Sequence, residues 1–163
     1  MPRRPKSPSS SSDSLKLDLG DYLPYLVNRV GVILAEQFTV EELSRHDLSI
    51  AMWRVLVVLA ENGGQRQIDL AGLTSIDVST LSRLVTRLVR MGLVSRTRSA
   101  TSNREVIVKL DPKGRAALAR LIPTARTYEA LAMQGISRSD LAITKRSLRR
   151  MYDNMARRTS PAR

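Results

Sequence analysis

The chain has 163 residues, enough for one domain with a modest core. Its 27 lysines and arginines against 15 acids leave a formal charge of +12, an excess that draws in polyanions and points to nucleic acid or an anionic membrane. The absence of cysteine excludes disulfides and thiolate metal sites, and a single histidine, His46, gives no basis for a zinc centre, a cofactor or a Ser/His/Asp hydrolase.

The N-terminus, Met1-Pro2-Arg3-Arg4-Pro5-Lys6, continues into serines without the apolar stretch of a secretory signal, so a cytoplasmic protein is expected. Residues 1–14 are proline, serine and basic residues, a composition that predicts a disordered tail. Asp21 is a candidate cap for a first helix, with Pro24 in its first turn and Tyr22, Leu26, Val30, Ile33 and Leu34 at helical spacing to about Phe38. Ser49 opens a second helix whose apolar face reads Ile50, Trp53, Leu56, Val57 and Ala60, before Gly63-Gly64 ends it. The longest apolar run, Val55 to Ala60, lies inside it and is core-sized, so no membrane partner is expected.

A short polar-apolar stretch, Gln65 to Thr74, leads to Asp77 and a helix with Val78, Leu81, Leu84, Val85 and Leu88 at helical spacing, up to Gly92. Leu93 to Arg98 and Arg104 to Leu110 then read as two strands of a β-hairpin around the polar turn Ser99 to Asn103. Asp111-Pro112 supplies an N-cap and first-turn proline for a long helix carrying Leu118, Leu121, Ile122, Ala125, Tyr128 and Leu131, with Pro123 as a kink, ending near Gly135. Ser137 with Asp140 three residues on opens a last helix bearing Leu141, Leu148, Met151, Tyr152 and Met155.

The fold class is therefore mainly α with a small β-hairpin wing: a winged helix-turn-helix with flanking dimerisation helices. Its parts are a tail at 1–14, an N-terminal dimerisation helix at 15–47, a DNA-binding lobe at 48–111, C-terminal dimerisation helices at 112–157 and a tail at 158–163. Terminal helices with more apolar surface than a small winged domain needs predict a homodimer. From Val78 to Arg104 there are six arginines and no acid. Ser79, Arg83, Thr86, Arg87 and Arg90 share the face opposite the apolar stripe of their helix, which a major groove about 12 Å wide admits. Ser79 and Thr80 lie near its start, where a recognition helix meets base edges. Arg83 is long enough for bidentate contact with guanine, while Arg87 and Arg90 suit phosphates, and Arg96, Arg98, Asn103 and Arg104 extend the cationic surface into the wing. Double-stranded DNA is the expected partner and no enzymatic activity is expected. The competing reading is a non-sequence-specific nucleic-acid-binding or architectural protein without a small-molecule ligand, for which charge alone suffices.

Trp53-Arg54-Val55-Leu56, Ser79-Thr80-Leu81-Ser82-Arg83-Leu84-Val85, Arg90-Met91-Gly92-Leu93-Val94 and Leu110-Asp111-Pro112-Lys113-Gly114, in this order, resemble the MarR family over residues 15 to 157. The resemblance implies a dimer with DNA-binding lobes below a helical dimerisation region. It also implies a wing that carries Asp, any residue, then an Arg for the minor groove. Here those positions read Ser102-Asn103-Arg104, so the arginine matches and the aspartate does not. Ser75 stands where such proteins often have glycine. The resemblance further implies a transcriptional repressor released by a small anionic aromatic acid or its coenzyme A thioester. Tyr22, Tyr25, Arg29, His46 and Trp53 lie on the segments that meet such ligands. Each has a plainer reading: Trp53, like Tyr128, as core, His46-Asp47 as a solvated or capping pair, and Arg29 as a surface residue.

Overall fold

The computed structural model describes residues 16–98 and 106–159. In chain order they form α1 (Leu23–Glu41), a short 3-10 turn (Leu43–His46), α2 (Ile50–Asn62), β1 (Gln65–Arg66), α3 (Gln67–Thr74) and α4 (Val78–Arg90). There follow β2 (Val94–Arg98), β3 (Val106–Leu110), α5 (Pro112–Ala132) and α6 (Arg138–Thr159). The chain divides into two compact units, Met1–Gln37 and Phe38–Arg163. In the first, α1 begins at Leu23 with the Tyr22 carbonyl accepting from Leu26 N at 3.2 Å. The expected cap at Asp21 thus falls outside the helix. Leu26, Val27, Val30 and Ile33 are exposed along it.

In the second unit, α2 packs against α3, α4, α5 and β3. Ser49 caps α2 by accepting Met52 N at 3.2 Å, and Gly63, at φ 75°, ends it in the backbone region that glycine enters without strain. The buried residues of α2 are Met52, Val55, Leu56 and Leu59, whereas Ala60, expected inside, is exposed. A helix apolar on nearly every side carries no period that selects one stripe; its neighbours do so.

The hairpin expected from the sequence is present, but a third strand joins it. The antiparallel sheet runs β1-β3-β2, with Gln65 opposite Val108 and Arg66 opposite Ile107. Two residues are too few to show the alternation that marks a strand. Asp111 stands at the N-cap of α5 with Pro112 following. Its carboxylate accepts from Ser95 Oγ at 2.6 Å and caps nothing, so it ties the helix start to β2. The assigned α5 runs unbroken through Pro123. At α6 the capping pair is reciprocal: Asp140 N donates to Ser137 Oγ at 3.1 Å and Ser137 Oγ donates to the Asp140 carboxylate at 2.7 Å.

Candidate nucleic-acid interface

Helix α3, a tight turn and helix α4 form the helix-turn-helix. The turn passes through Ser75 in the left-handed region (φ 54°, ψ 38°), and Ile76 N reaches back to Ala71 O at 3.2 Å. Arg54, from α2, donates to Thr74 O at 3.2 Å, while buried Thr74 turns its hydroxyl onto Leu70 O at 2.6 Å. The Arg54 bond satisfies a carbonyl that the end of α3 leaves without a helical partner, while the Thr74 hydroxyl is spent within the helix.

Asp77 starts α4. Its carboxylate accepts from Ser79 Oγ at 2.6 Å and Thr80 N at 2.8 Å, and these bonds, the Ser79 hydroxyl first, lower its pKa from 3.8 to about 2. Leu81, Val85 and Leu88 are fully buried, so the opposite face of α4 is left to solvent. Arg83, Arg87 and Arg90 are exposed there, as are Arg96 and Arg98 on β2. No acid lies between Val78 and Arg104 to neutralise them.

Several of these side chains already have protein partners. Ser79 is exposed but donates to Asp77, and half-buried Thr80 accepts from Arg83 at 3.3 Å. Thr86, expected on the DNA face, is half-buried, with its hydroxyl donating to Ser82 O at 2.9 Å. Arg96 donates to that same hydroxyl at 2.9 Å and to Ser82 O at 3.2 Å. It therefore fastens the wing strand to α4, a role that the charge pattern did not reveal. Arg87 reaches Asp47 O at 3.3 Å. Asn103 and Arg104, with Ser102, lie outside the described residues.

The residues expected at a ligand site divide between the two units. Tyr22, Tyr25 and Arg29 belong to Met1–Gln37, where Arg29 lies 5.6 Å from the centre of the Tyr25 ring. In the other unit Trp53 is half-buried and meets Phe38 edge-on at 5.2 Å, and Phe38 meets Tyr128 at 5.7 Å. This cluster is the core reading of Trp53 made concrete. The Tyr128 hydroxyl donates to the Glu41 carboxylate, which raises the phenol pKa. His46 faces Glu42 at 3.5 Å and opens onto a cleft beside Leu48, Leu93 and Lys113; Trp53 is not in its lining.

Three helices, the third cationic and exposed beside an antiparallel wing, make this a winged helix-turn-helix protein. The family model described as MarR family matches residues 48–106. A MarR-family transcriptional regulator from Silicibacter pomeroyi is 30% identical with a TM-score of 0.77, over 88% of this chain and 95% of that one. The chain belongs to the MarR family of transcriptional regulators. It is also 32% identical over 89 residues, 52% of its length, to the HTH-type transcriptional regulator FarR of Neisseria gonorrhoeae. To the homoprotocatechuate degradative operon repressor of Escherichia coli it is 33% identical over 72 residues, 44% of its length. These two matches span 61% and 49% of the regulators' own lengths. Regulators of this family bind DNA and dimerise. Among the described residues, no helix is long and apolar enough to cross a membrane.

Proposed function

We propose that the protein is a ligand-responsive repressor that grips a pseudo-palindromic duplex as a homodimer. The observation that carries this reading is α4, sealed on one side by Leu81, Val85 and Leu88 and lined on the other by arginines without an acid. Arg83, in the second turn, reads a base edge in the major groove; Arg90 and Arg98 meet phosphates, and Arg104 enters the minor groove from the wing. Arg87 and Arg96 hold the turn at Asp47 and the wing in place beside α4.

Self-association is supported by apolar side chains left in solvent: Val30 (54% exposed) and Ile33 on α1, Tyr152 and Met155 (65%) on α6. We assign the exposed apolar faces of the helices in residues 16–47 and 112–157 to the dimer contact. Repression, and release by a small aromatic acid or its coenzyme A thioester, are supported by the relative named for an operon degrading homoprotocatechuate.

Selection of sites from random-sequence duplex tests the reading and should return a two-fold symmetric site. On it, Arg83→Ala should cost about 1–3 kcal/mol and relax one base position per half-site. Arg90→Ala should weaken selected and scrambled duplex alike. Equal affinity of the unaltered protein for selected duplex, scrambled duplex and RNA would overturn sequence-specific regulation and favour an architectural role.

A further inference from the structure

The residues that lead α4, Asp77, Val78 and Ser79, are all exposed, and folding leaves them different things to offer a partner. The Asp77 carboxylate is occupied by Ser79 Oγ at 2.6 Å and Thr80 N at 2.8 Å. Ser79 has spent its hydroxyl proton on that bond, so only its lone pairs remain for a base. Half-buried Thr80 accepts from Arg83 at 3.3 Å. The two hydroxyls that the sequence sets at base edges are thus already engaged within the protein.

Val78 is in a different position. It shares the apolar spacing of α4, yet it stays 46% exposed, whereas Leu81, Val85 and Leu88 are fully buried. It is the first residue of the helix, and helical Cβ atoms tilt towards the N-terminus, so its isopropyl group stands at the leading end of α4. That end is the part of a recognition helix that meets base edges. Arg83 follows about 7.5 Å further along the axis, so the two side chains address different base pairs. An isopropyl group makes no hydrogen bond, and the apolar group that base edges present in the major groove is the C5-methyl of thymine.

We propose that Val78 is a specificity-determining residue whose isopropyl group packs on the C5-methyl of one thymine in each half-site. It selects thymine there over cytosine, which carries hydrogen at C5. The assignment rests on the reading of α4 as the DNA helix. It gives that helix two unlike readers, Val78 for a methyl group and Arg83 for a hydrogen-bonding edge. Burial of a methyl against an isopropyl group removes apolar surface from water and moves no charge, so the discrimination by Val78 is independent of salt.

The test uses the full chain and the duplex returned by site selection, with each thymine replaced in turn, in both half-sites, by deoxyuridine. That base keeps the pairing and lacks only the methyl. At one thymine position per half-site the double replacement should weaken binding about tenfold or more, about fourfold for each methyl lost. Val78→Ala should bind the thymine duplex weaker by a similar factor, show no further loss with deoxyuridine at that position, and keep the dependence of affinity on salt. Arg83→Ala should retain the deoxyuridine loss. Because Val78 is exposed, its replacement should leave Tm unchanged, and the deoxyuridine series on the unaltered chain stands without any variant. Sequence-specific binding with no deoxyuridine loss at any thymine, or with a loss that Val78→Ala keeps in full, would overturn the assignment and leave α4 as the DNA helix. Equal affinity for selected and scrambled duplex would overturn the reading of α4 on which the assignment rests.

Discussion

Gly114, in the first turn of α5, offers a direct test of how that helix is seated on the wing. A Cβ at this position would lie 2.2 Å from Leu93 O and 2.7 Å from Leu110 Cδ1, where ordinary contact begins at 3.4 Å. Gly114→Ala must therefore part α5 from the start of β2 by about 1 Å in a region packed without slack. Leu93 O also accepts Asp111 N at 3.1 Å, so the same movement strains a hydrogen bond. Overpacking costs about 1–3 kcal/mol and a weakened bond about 0.5–1.5 kcal/mol, partly offset by the about 0.5–1 kcal/mol that alanine gains over glycine in a helix. The net expectation is a loss of about 2 kcal/mol, or about 4–8 °C in Tm for a chain of this size. Gly72→Ala in α3 is the control: nothing lies within 4 Å of its Cβ, and only the propensity gain should remain. Thermal melts at one fixed protein concentration decide, because self-association makes Tm concentration-dependent. Melting of Gly114→Ala at or above the unaltered protein would refute the close approach.

Ser75→Gly should raise stability by about 0.5–1 kcal/mol, because Ser75 holds a left-handed conformation at φ 54°; a lowered urea midpoint would refute this. Asp77 has a folded-state pKa below its ordinary 3.8, so its capping is complete above that value and is lost as pH falls from 3.8 towards about 2. Its carboxyl carbon should titrate near 2, and Asp77→Asn should abolish that step; a midpoint at 3.8 would remove the capping assignment. Arg96→Gln should weaken the selected duplex by about 1 kcal/mol and speed amide exchange in β2, since Arg96 ties the wing to Ser82 and Thr86. Unchanged exchange with a shallower salt dependence would make Arg96 a phosphate contact instead.

Much of the helical pattern was legible because its signals are local. The Ser49 cap, the inward stripe of α4 and, on α6, the Ser137–Asp140 pair all join residues three or four apart, a spacing the helix itself imposes. The absence of acids from Val78 to Arg104 is likewise a property of consecutive residues, and among the described ones Arg83, Arg87, Arg90, Arg96 and Arg98 stay exposed after folding. Strand β1 was invisible because two residues carry no period. The inward side of α2 was read in part: Ile50, Trp53, Leu56 and Val57 do meet the core, but Ala60 is exposed and Met52, Val55 and Leu59 are buried, because a helix apolar on nearly all sides must be told by its neighbours which stripe to bury.

The tertiary structure decided which partners meet across long separations. Trp53 went to Phe38 and His46 to the cleft beside Lys113, although the two share the sequence segment around the start of α2. Arg54 bonds Thr74 O, Arg87 bonds Asp47 O and Lys113 bonds Met91 O. In each case the donor could be read from the chain, but the acceptor is a main-chain carbonyl, a group every residue carries. Only the packing of α2, α4 and α5 singles one carbonyl out, so the contacts that hold α4 in place have no signature in the sequence.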